Sequence, residues 1–329
     1  MNNAFKSCSV RKYWFKYKWK IVFEMIKNMS KKPNMCDEPF DRKTVVITGA
    51  TSGIGYETAK KYASMGARII SVNRNKEKSE KLCYELKEKY ETECDYILAD
   101  LSKIADIRKV GYELSTLDEK IDVLIHNAGL YTNKRTITDD GLELNFVVHY
   151  LAPFLINQMI LEKLKKDKNS RIIFVSSEAY RFAAWGICLD DLLWEKHKYS
   201  GLKAYGSAKL AQILSMHIFS EIVKDYGITV NAMHPGFVKT NTGSENGPIY
   251  KFFKKNILDK LSQEPTISAE ALYYLGASKD LDGITDKFFH LTTIEELTPP
   301  AKDLELAKAL WNKTGQIIRS LGIDMGVRV

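Results

Sequence analysis

Three closely spaced glycines join the first predicted strand to the first predicted helix, and this feature constrains the fold most strongly. The strand Thr44–Thr48 leads directly into Gly-Ala-Thr-Ser-Gly-Ile-Gly at 49–55, and a helical pattern follows at Tyr56–Ser64. Such glycines allow a tight turn and close approach of the backbone to a pyrophosphate, which then lies at the positive helix N-terminus. The loop predicts a dinucleotide site with these contacts: Gly49, Ser52, Gly53, Ile54 and Gly55.

Predicted strands and helices alternate along the chain from Arg42 onward. The strand sequences are unbroken apolar runs, as in strands covered on both faces of a sheet. Alternation of strand and helix implies parallel strands joined by right-handed crossovers. We therefore predict an α/β fold, a doubly wound parallel sheet of the Rossmann type, in a single domain at 42–329. Its further strands are predicted at Arg68–Val72, Tyr96–Ala99, Val123–His126, Arg171–Ser176 and Thr229–Ala232.

The net charge of +8 lies entirely in the first part of the chain. Residues 1–36 contain nine lysines and arginines and a single acidic residue, Glu24, whereas bases and acids balance over 37–329. The predicted fold is therefore neutral overall, and it contains no recognisable nucleic-acid-reading module. Nucleic acid is not a predicted partner. Residues 1–41 are assigned as a basic amphipathic N-terminal extension.

If residues 11–31 of this extension are helical, lysines and aromatic side chains separate onto opposite faces. Lys16, Lys20 and Lys27 share one face, while Phe15 and Trp19 lie on the other. This pattern supports the hypothesis of peripheral contact with an anionic membrane surface, since no apolar stretch reaches the roughly 20 residues that a spanning helix needs. The alternatives are packing on the protein's own surface or a partner, a cleaved targeting segment, and a start codon placed too far upstream.

Five cysteines are spread along the chain without a Cys-x-x-Cys pair, at positions 8, 36, 83, 94 and 188. Their odd number and wide spacing argue against a disulfide framework and against a zinc site. The sequence therefore predicts no metal and a reducing, cytoplasmic location.

The end of the second strand predicts which cofactor is bound. An acidic residue there would accept the 2′-hydroxyl of NAD, but this chain has Asn73 and Arg74. A guanidinium binds phosphate well, and the Ser52 hydroxyl can add a hydrogen bond, so we predict NADP(H) in preference to NAD(H). The adenosine half is expected to contact residues that follow the third and fourth strands: Asp100, Leu101, Asn127, Ala128 and Gly129.

A tyrosine and a lysine four residues apart lie on one face of a predicted helix, in Tyr205-Gly-Ser-Ala-Lys209. A free phenol ionises far above neutral pH, but a nearby ammonium favours its ionised form and makes proton exchange accessible. Ser176 and Ser177 end the strand before this helix, and a hydroxyl there can orient a substrate oxygen.

Together these motifs resemble the short-chain dehydrogenase/reductase family over essentially all of 42–329. They read TGATSGIG at 48–55, NAG at 127–129, VSS at 175–177, YGSAK at 205–209 and HPGFVKT at 234–240. The resemblance implies that Ser177, Tyr205 and Lys209 carry catalysis and that Lys209 also holds the nicotinamide ribose. It further implies that the nicotinamide is bordered by Pro235, Gly236, Val238 and Thr240.

The chain is most similar to the retinol-dehydrogenase-like branch of this family. That similarity rests on the long segment between Ser177 and Tyr205, on DGLELNF at 140–146 and on ELAKALWNKTG at 305–315. It implies a lipophilic alcohol or carbonyl substrate. The apolar residues at 249–258 are interpreted as a lid over that substrate or, equally, as ordinary helix packing.

One position departs from the family pattern. His149 stands where the family usually has an asparagine that holds a proton-relay water near the catalytic lysine. Three interpretations stay open: His149 relays protons, it signals impaired catalysis, or it is a hydrogen-bonded core histidine.

The sequence thus predicts an NADP(H)-dependent oxidoreductase that transfers a hydride between nicotinamide and a lipophilic alcohol or carbonyl, with Tyr205 as general acid or base. A non-catalytic NADP-binding sensor or scaffold, and a 3-oxoacyl or steroid-type reductase, are the alternatives. The oligomeric state is left open.

Overall fold

The doubly wound parallel sheet is confirmed, and it has two more strands than the sequence predicts. The computed structural model describes residues 10–29, 31–236 and 263–323. Eight strands lie in the order β3-β2-β1-β4-β5-β6-β7-β8, and β7 with β8 is the antiparallel pair. The strands are β1 Thr44–Thr48, β2 Arg68–Asn73, β3 Cys94–Leu98, β4 Val123–His126, β5 Arg171–Val175, β6 Thr229–His234, β7 Phe288–His290 and β8 Thr293–Ile294.

Helices cover both faces of the sheet, which explains why the central strands are apolar throughout. On one face α3, α4 and α10 pack against β1 and its neighbours, and on the other face α5, α7, α9 and α11 do so. The helices are α1 Val10–Trp14, α2 Trp19–Met29, α3 Gly53–Ser64, α4 Lys76–Tyr90, α5 Ile104–Ser115, α6 Leu144–Phe146, α7 Ala152–Met159, α8 Leu161–Asp167, α9 Gly201–Val223, α10 Pro265–Ala277 and α11 Leu304–Ser320.

The strand order reverses at β1, which lies between β2 and β4. Crossovers on the two sides of this point leave the sheet in opposite directions, so a crevice opens at the carboxyl ends of β1 and β4. The glycine loop follows β1, and Asn127-Ala128-Gly129 follows β4. The predicted cofactor residues of both motifs therefore meet at this crevice.

The basic extension forms two helices rather than the single helix on which the separation of lysines and aromatic side chains over 11–31 was considered. The first helix, α1, ends at Trp14 and the second, α2, begins at Trp19. In α1, Tyr13 is buried and its hydroxyl donates to Asp303 Oδ2 at 2.8 Å, beside the start of α11. Ile21 and Asn28 of α2 are buried elsewhere on the domain, where α2 contacts β7. Because the two helices dock at different places, the chain breaks between them; the boundary at residues 41 and 42 stays a prediction.

The side of α2 that faces away from the domain is aromatic and apolar. Trp19, Phe23 and Ile26 have the three- and four-residue spacing of one helix face, and they are 79%, 68% and 55% exposed. Phe15, in the connection between α1 and α2, is 94% exposed. The extension therefore buries one edge on the domain and leaves an apolar face exposed. We call this face the outer face (Trp14, Phe15, Trp19, Phe23 and Ile26).

One pair of cysteines departs from the expectation that the chain has no disulfide framework. Cys83 of α4 and Cys94 of β3 form a disulfide, with Cα atoms 5.0 Å apart. The chain folds back at the end of α4, so two cysteines that are 11 residues apart in sequence become neighbours. Disulfides are rare in reducing compartments, so this pair does not support the reducing location expected from the cysteine spacing.

Candidate active site

The glycine loop leaves no room for side chains where a dinucleotide would approach. Gly49 has φ +71°, a left-handed conformation that favours glycine. A Cβ at Gly55 would overlap the Gly49 carbonyl oxygen and would lie 2.5 Å from Asn127 Nδ2. Gly53 and Ile54 begin α3, and the exposed Ser52 hydroxyl makes no capping hydrogen bond. The loop therefore presents backbone and the Ser52 hydroxyl to the crevice.

Thr48 supports this loop, although it is not among the cofactor residues predicted from the sequence. Its Oγ1 accepts hydrogen bonds from the backbone N–H groups of Asn127 at 3.0 Å and Ala128 at 2.9 Å. The side-chain amide of Asn127 donates to the carbonyl oxygens of Thr48 and Gly49, both at 3.0 Å. Asn127 and Ala128 thus fix the loop to the end of β4. Because Thr48 directly precedes the glycines, its position in the motif could have indicated that its side chain supports the loop.

Asn73 and Arg74 have different surroundings, although the sequence predicts cofactor binding for both. Asn73 is buried, and its Oδ1 accepts a hydrogen bond from the backbone N–H of Ala50 at 2.8 Å, so its side chain holds the glycine loop. Arg74 is exposed at the end of β2 and makes no hydrogen bond or ion pair with the residues that the structure describes. Its guanidinium is available for an anion.

Two further predicted contacts lie after β3. Asp100 accepts hydrogen bonds from the backbone N–H and the hydroxyl of Ser102 through one oxygen, Oδ1. Leu101 is buried in the core. These two hydrogen bonds hold Asp100 in place through Oδ1, and neither of them involves Oδ2.

The tyrosine and lysine are brought together on α9, as the spacing predicts. Lys209 is only 4% exposed, and its Nζ donates to the carbonyl oxygen of Val175 at 2.7 Å. The same Nζ lies 5.8 Å from the centroid of the Tyr205 ring. Burial lowers the pKa of Lys209 to about 7, because the charged ammonium is removed from water. A lysine buried at this cost, beside a partly buried tyrosine, is typical of a functional site.

Ser177 lies at the start of the 3₁₀ helix Glu178–Phe182, directly after Ser176, which follows β5. Its Oγ accepts a hydrogen bond from the backbone N–H of Ala179 at 3.1 Å. This short helix packs closely against α9, since a Cβ at Gly206 would lie 2.6 Å from the Ala179 carbonyl oxygen. The glycine between Tyr205 and Ser207 therefore allows the serine segment and the tyrosine helix to approach.

His149 is buried beside the tyrosine, in a single π turn at Val147–Leu151. Its ring lies edge-to-face with Tyr205, with 5.0 Å between centroids. Its Nε2 lies 2.7 Å from the Leu130 carbonyl oxygen, and Nδ1 is buried without a partner among the described residues. Burial, with a contribution from the Lys209 charge, holds the pKa of His149 well below its usual value. The backbone N–H of Leu130 also lies 3.3 Å from Nε2, but the shorter contact is with a carbonyl oxygen, which can only accept. The neutral ring therefore donates from Nε2 and keeps Nδ1 as an acceptor.

The predicted nicotinamide border is described in part. Pro235 and Gly236 follow β6, and Gly236 has φ +77°. Gly129, at the other side of the crevice, has no room for a side chain, because a Cβ there would lie 2.8 Å from Cε1 of His149. Val238, Thr240 and the predicted lid at 249–258 lie outside the described residues.

These residues fit a nicotinamide dinucleotide. The glycine loop would hold the pyrophosphate at the start of α3, Arg74 after β2 would meet the adenosine end, and Lys209 next to Tyr205 would meet the nicotinamide end. A parallel sheet with such a loop at its switch point, followed by a tyrosine–lysine pair, defines a class of nicotinamide-dependent oxidoreductases.

Comparison with known proteins gives the family. Residues 43–188 match the family model described as short chain dehydrogenase. Retinol dehydrogenase 13 of Homo sapiens is 34% identical over 283 residues, which cover 84% of each chain. Retinol dehydrogenase 14 of Mus musculus is 32% identical over 82% of this chain and 84% of its own. The chain belongs to the short-chain dehydrogenase/reductase family, similar to retinol dehydrogenases 13 and 14.

Solved structures agree on the fold. An uncharacterized protein from Mycobacterium paratuberculosis has a TM-score of 0.66 and 26% identity, over 86% of this chain and 95% of its own. L-sorbose reductase from Gluconobacter frateurii, complexed with NADPH and L-sorbose, has a TM-score of 0.62 and 20% identity, over 82% of this chain and 100% of its own. The fold and the nucleotide-binding architecture predicted from the sequence are therefore confirmed.

Proposed function

We propose that the protein is an NADP(H)-dependent oxidoreductase that transfers a hydride between nicotinamide and a lipophilic alcohol or carbonyl compound. The observation that carries the proposal is the pairing of Tyr205 with the buried Lys209 on α9, next to a dinucleotide crevice. A lysine has little structural reason to be buried with one carbonyl partner, so its position supports a role in chemistry.

In the direction of reduction, the Tyr205 hydroxyl donates its proton to the substrate oxygen, and in oxidation the ionised phenol accepts it. Ser177 lies across the packed contact between α9 and the 3₁₀ helix, and its hydroxyl donates a hydrogen bond to the same oxygen. Lys209, when protonated, favours the ionised phenol and binds the cofactor ribose. The bound nicotinamide supplies or accepts the hydride.

We assign His149 the proton-relay role among the three open interpretations. Its Nδ1 is a buried acceptor that meets no partner among the described residues, and the ring contacts Tyr205 directly. A buried acceptor without a partner lowers the stability of the fold. Such an acceptor is retained where a water molecule or a transferred proton binds to it during catalysis. The π turn that carries His149 is also a feature frequent at functional sites.

NADP(H) preference rests on Arg74. A charge-assisted hydrogen bond to the 2′-phosphate contributes about 1.5–3 kcal/mol, which corresponds to roughly 10- to 100-fold in affinity. We expect Arg74→Ala to weaken NADPH binding by this factor and to leave NADH binding unchanged, as measured by fluorescence titration of both cofactors.

Lys76→Ala is the matched control, because Lys76 is an exposed cation two residues further along and pairs with Glu80. Its NADPH affinity should stay within about threefold of the wild type, since surface pairs contribute little. A wild-type protein that binds NADH as tightly as NADPH contradicts the assignment.

A lipophilic substrate is supported by the names of the relatives, which are retinol dehydrogenases. NADPH as the cofactor favours reduction as the working direction. A lid over an apolar substrate remains a prediction for residues 249–258.

Peripheral membrane contact is proposed for the outer face of the extension. Exposed lysines flank the aromatic side chains at Lys16, Lys18 and Lys20, and a tryptophan-bearing apolar face beside cations suits an anionic lipid interface. Within the described residues no single helix is long and apolar enough to span a membrane, although the bent pair Leu144–Met159 with Leu161–Asp167 reaches that length and composition jointly. A cytoplasmic location also stays a prediction.

The membrane proposal is tested with full-length protein, because α1 and α2 bury residues of the domain that truncation would expose. We expect wild-type protein to float with phosphatidylserine-containing vesicles, and the double variant Phe15→Ser/Trp19→Ser to lose at least about tenfold in partitioning, since two aromatic anchors are removed. High salt should weaken binding.

Tyr84→Ser/Tyr112→Ser is the control pair, since both tyrosines are 66% exposed on other helices. Equal flotation of the two double variants and the wild type removes the membrane proposal.

A further inference from the structure

A buried ion cluster joins the N-terminal extension to the segment that carries Ser177. Arg181, in the 3₁₀ helix after Ser177, donates through Nε to Glu178 Oε2 and through Nη2 to Glu295 Oε1 at 2.5 Å. The Glu295 side chain is 0% exposed, so its negative charge depends on these protein partners. The cluster thus spans from the residue after Ser177 to the connection beyond β8.

Helix α2 supplies the other partner of Glu295. The Asn28 Nδ2 group donates to Glu295 Oε2 at 3.0 Å, and Asn28 is itself buried. The two oxygens of Glu295 therefore bind different elements, Arg181 on one side and the extension on the other. Loss of either donor leaves a buried carboxylate oxygen short of a partner.

The opposite end of the cluster reaches both sides of the active site. The backbone N–H of Glu178 lies 3.4 Å from Nδ1 of His234, the residue before Pro235 and Gly236 at the nicotinamide border. Ser177 precedes Glu178 directly and caps the same 3₁₀ helix. A displacement of Glu178 therefore moves the catalytic serine segment relative to β6.

The pKa of Glu178 depends on the charged groups of this cluster. Burial raises its pKa to about 7, with a further increase from the Glu295 charge and a decrease from Arg181. The charged and titratable groups that face it are Arg181, Tyr180, His234, His290 and Glu295. Ligand atoms of Glu178, His290 and Glu295 lie within 4.8 Å of one another, and the Arg181 guanidinium supplies the positive charge beside the two carboxylates.

We propose that Asn28 and Arg181 are positioning residues: acting through Glu295 and Glu178, they fix the Ser177 segment, so that helix α2 controls turnover at a site it does not touch. The assignment rests on the proposed function for its catalytic consequence, although the coupling between α2 and residues 177–182 is a property of the fold. Because the outer face of α2 lies opposite its docked edge, a partner bound there acts on the same helix.

The test compares Asn28→Ala with Ile26→Ala, a substitution on the exposed side of the same helix. We expect Asn28→Ala to lower kcat by roughly tenfold, as for a displaced catalytic group, with the NADPH Kd unchanged. Amide hydrogen exchange across 177–182, followed by mass spectrometry, should be faster by a similar factor in Asn28→Ala and unchanged in Ile26→Ala.

The pH profile separates positioning from a general loss of packing. Wild-type kcat should fall as pH drops through about 7, because protonated Glu178 loses its ion pair with Arg181. In Asn28→Ala the acid limb should move to higher pH, because the Glu295 charge that faces Glu178 is no longer offset by the Asn28 hydrogen bond. Glu295→Gln should move the limb to lower pH, because it removes the charge that raises the pKa of Glu178.

Identical exchange rates across 177–182 in Asn28→Ala and Ile26→Ala overturn the positioning role, as does an acid limb that neither Asn28→Ala nor Glu295→Gln moves. Faster exchange in Asn28→Ala without turnover in any variant establishes the coupling and removes the proposed function instead. The two hypotheses therefore fail on different measurements.

Discussion

Tyr205→Phe should lose turnover by about 10³-fold while NADPH still binds, because the substitution removes only the hydroxyl that exchanges a proton with the substrate oxygen. The ring remains, so its contacts with His149 and Tyr131 are kept. Turnover is measured as NADPH oxidation with lipophilic aldehydes, and cofactor binding as NADPH fluorescence.

The neighbouring Tyr131→Phe is the matched control for this loss. Its ring lies 5.7 Å from that of Tyr205, so it removes a hydroxyl from the same environment. Turnover within about tenfold of the wild type is expected, since Tyr131 is not assigned proton transfer. Normal turnover in Tyr205→Phe would exclude the phenol as acid or base.

Lys209→Met should stabilise the protein while abolishing most of its activity. The shift of the Lys209 pKa from 10.5 to about 7 means that folding removes a charged group from water at a cost of several kcal/mol. Methionine avoids that cost, and the lost hydrogen bond to Val175 offsets about 1 kcal/mol. We expect a net gain of about 3 kcal/mol in the free energy of unfolding at pH 7, with at least roughly 100-fold lower kcat/KM.

The sign of the pH dependence follows from the depressed pKa of Lys209. Between pH 7 and 10.5 the unfolded chain holds a proton on this lysine that the folded protein has released, so stability rises with pH. Urea unfolding at pH 7 and 9 should show this rise in the wild type and its loss in Lys209→Met. If Lys209→Met is less stable than the wild type at pH 7 and its stability rises with pH as in the wild type, the lowered pKa of Lys209 is contradicted.

Local patterns were sufficient to predict the parts of the site that are contiguous in sequence. The glycine loop after Thr48 and the pair Tyr205–Lys209 each depend on short spacings whose geometry a strand–helix turn or a helix face fixes. The same patterns predicted β1 and β4 with their observed limits, because both strands are unbroken apolar runs. The different roles of Asn73 and Arg74 could be assigned only from the structure, because Asn73 is buried against the glycine loop and Arg74 is exposed.

Features that depend on contacts between distant segments were not predictable. Strands β7 and β8 have three and two residues, too short for a periodic signal. The break between α1 and α2 depends on docking of Tyr13 and Asn28 at separate places on the domain. Glu295 lies in no motif, and nothing in the sequence indicates that it meets Asn28 and Arg181. Cys83 and Cys94 likewise pair because the chain reverses at the end of α4.

Direct detection of hydride transfer tests the central claim, because it distinguishes an enzyme from an NADP-binding sensor or scaffold. NADPH deuterated at the reactive position of the nicotinamide is incubated with the full-length protein and a panel of lipophilic aldehydes and ketones, and the products are analysed by mass spectrometry. The wild type should form alcohols that carry one deuterium on the former carbonyl carbon, and Tyr205→Phe should not. NADPH that binds tightly but yields no deuterated alcohol from any carbonyl in the panel would contradict this claim.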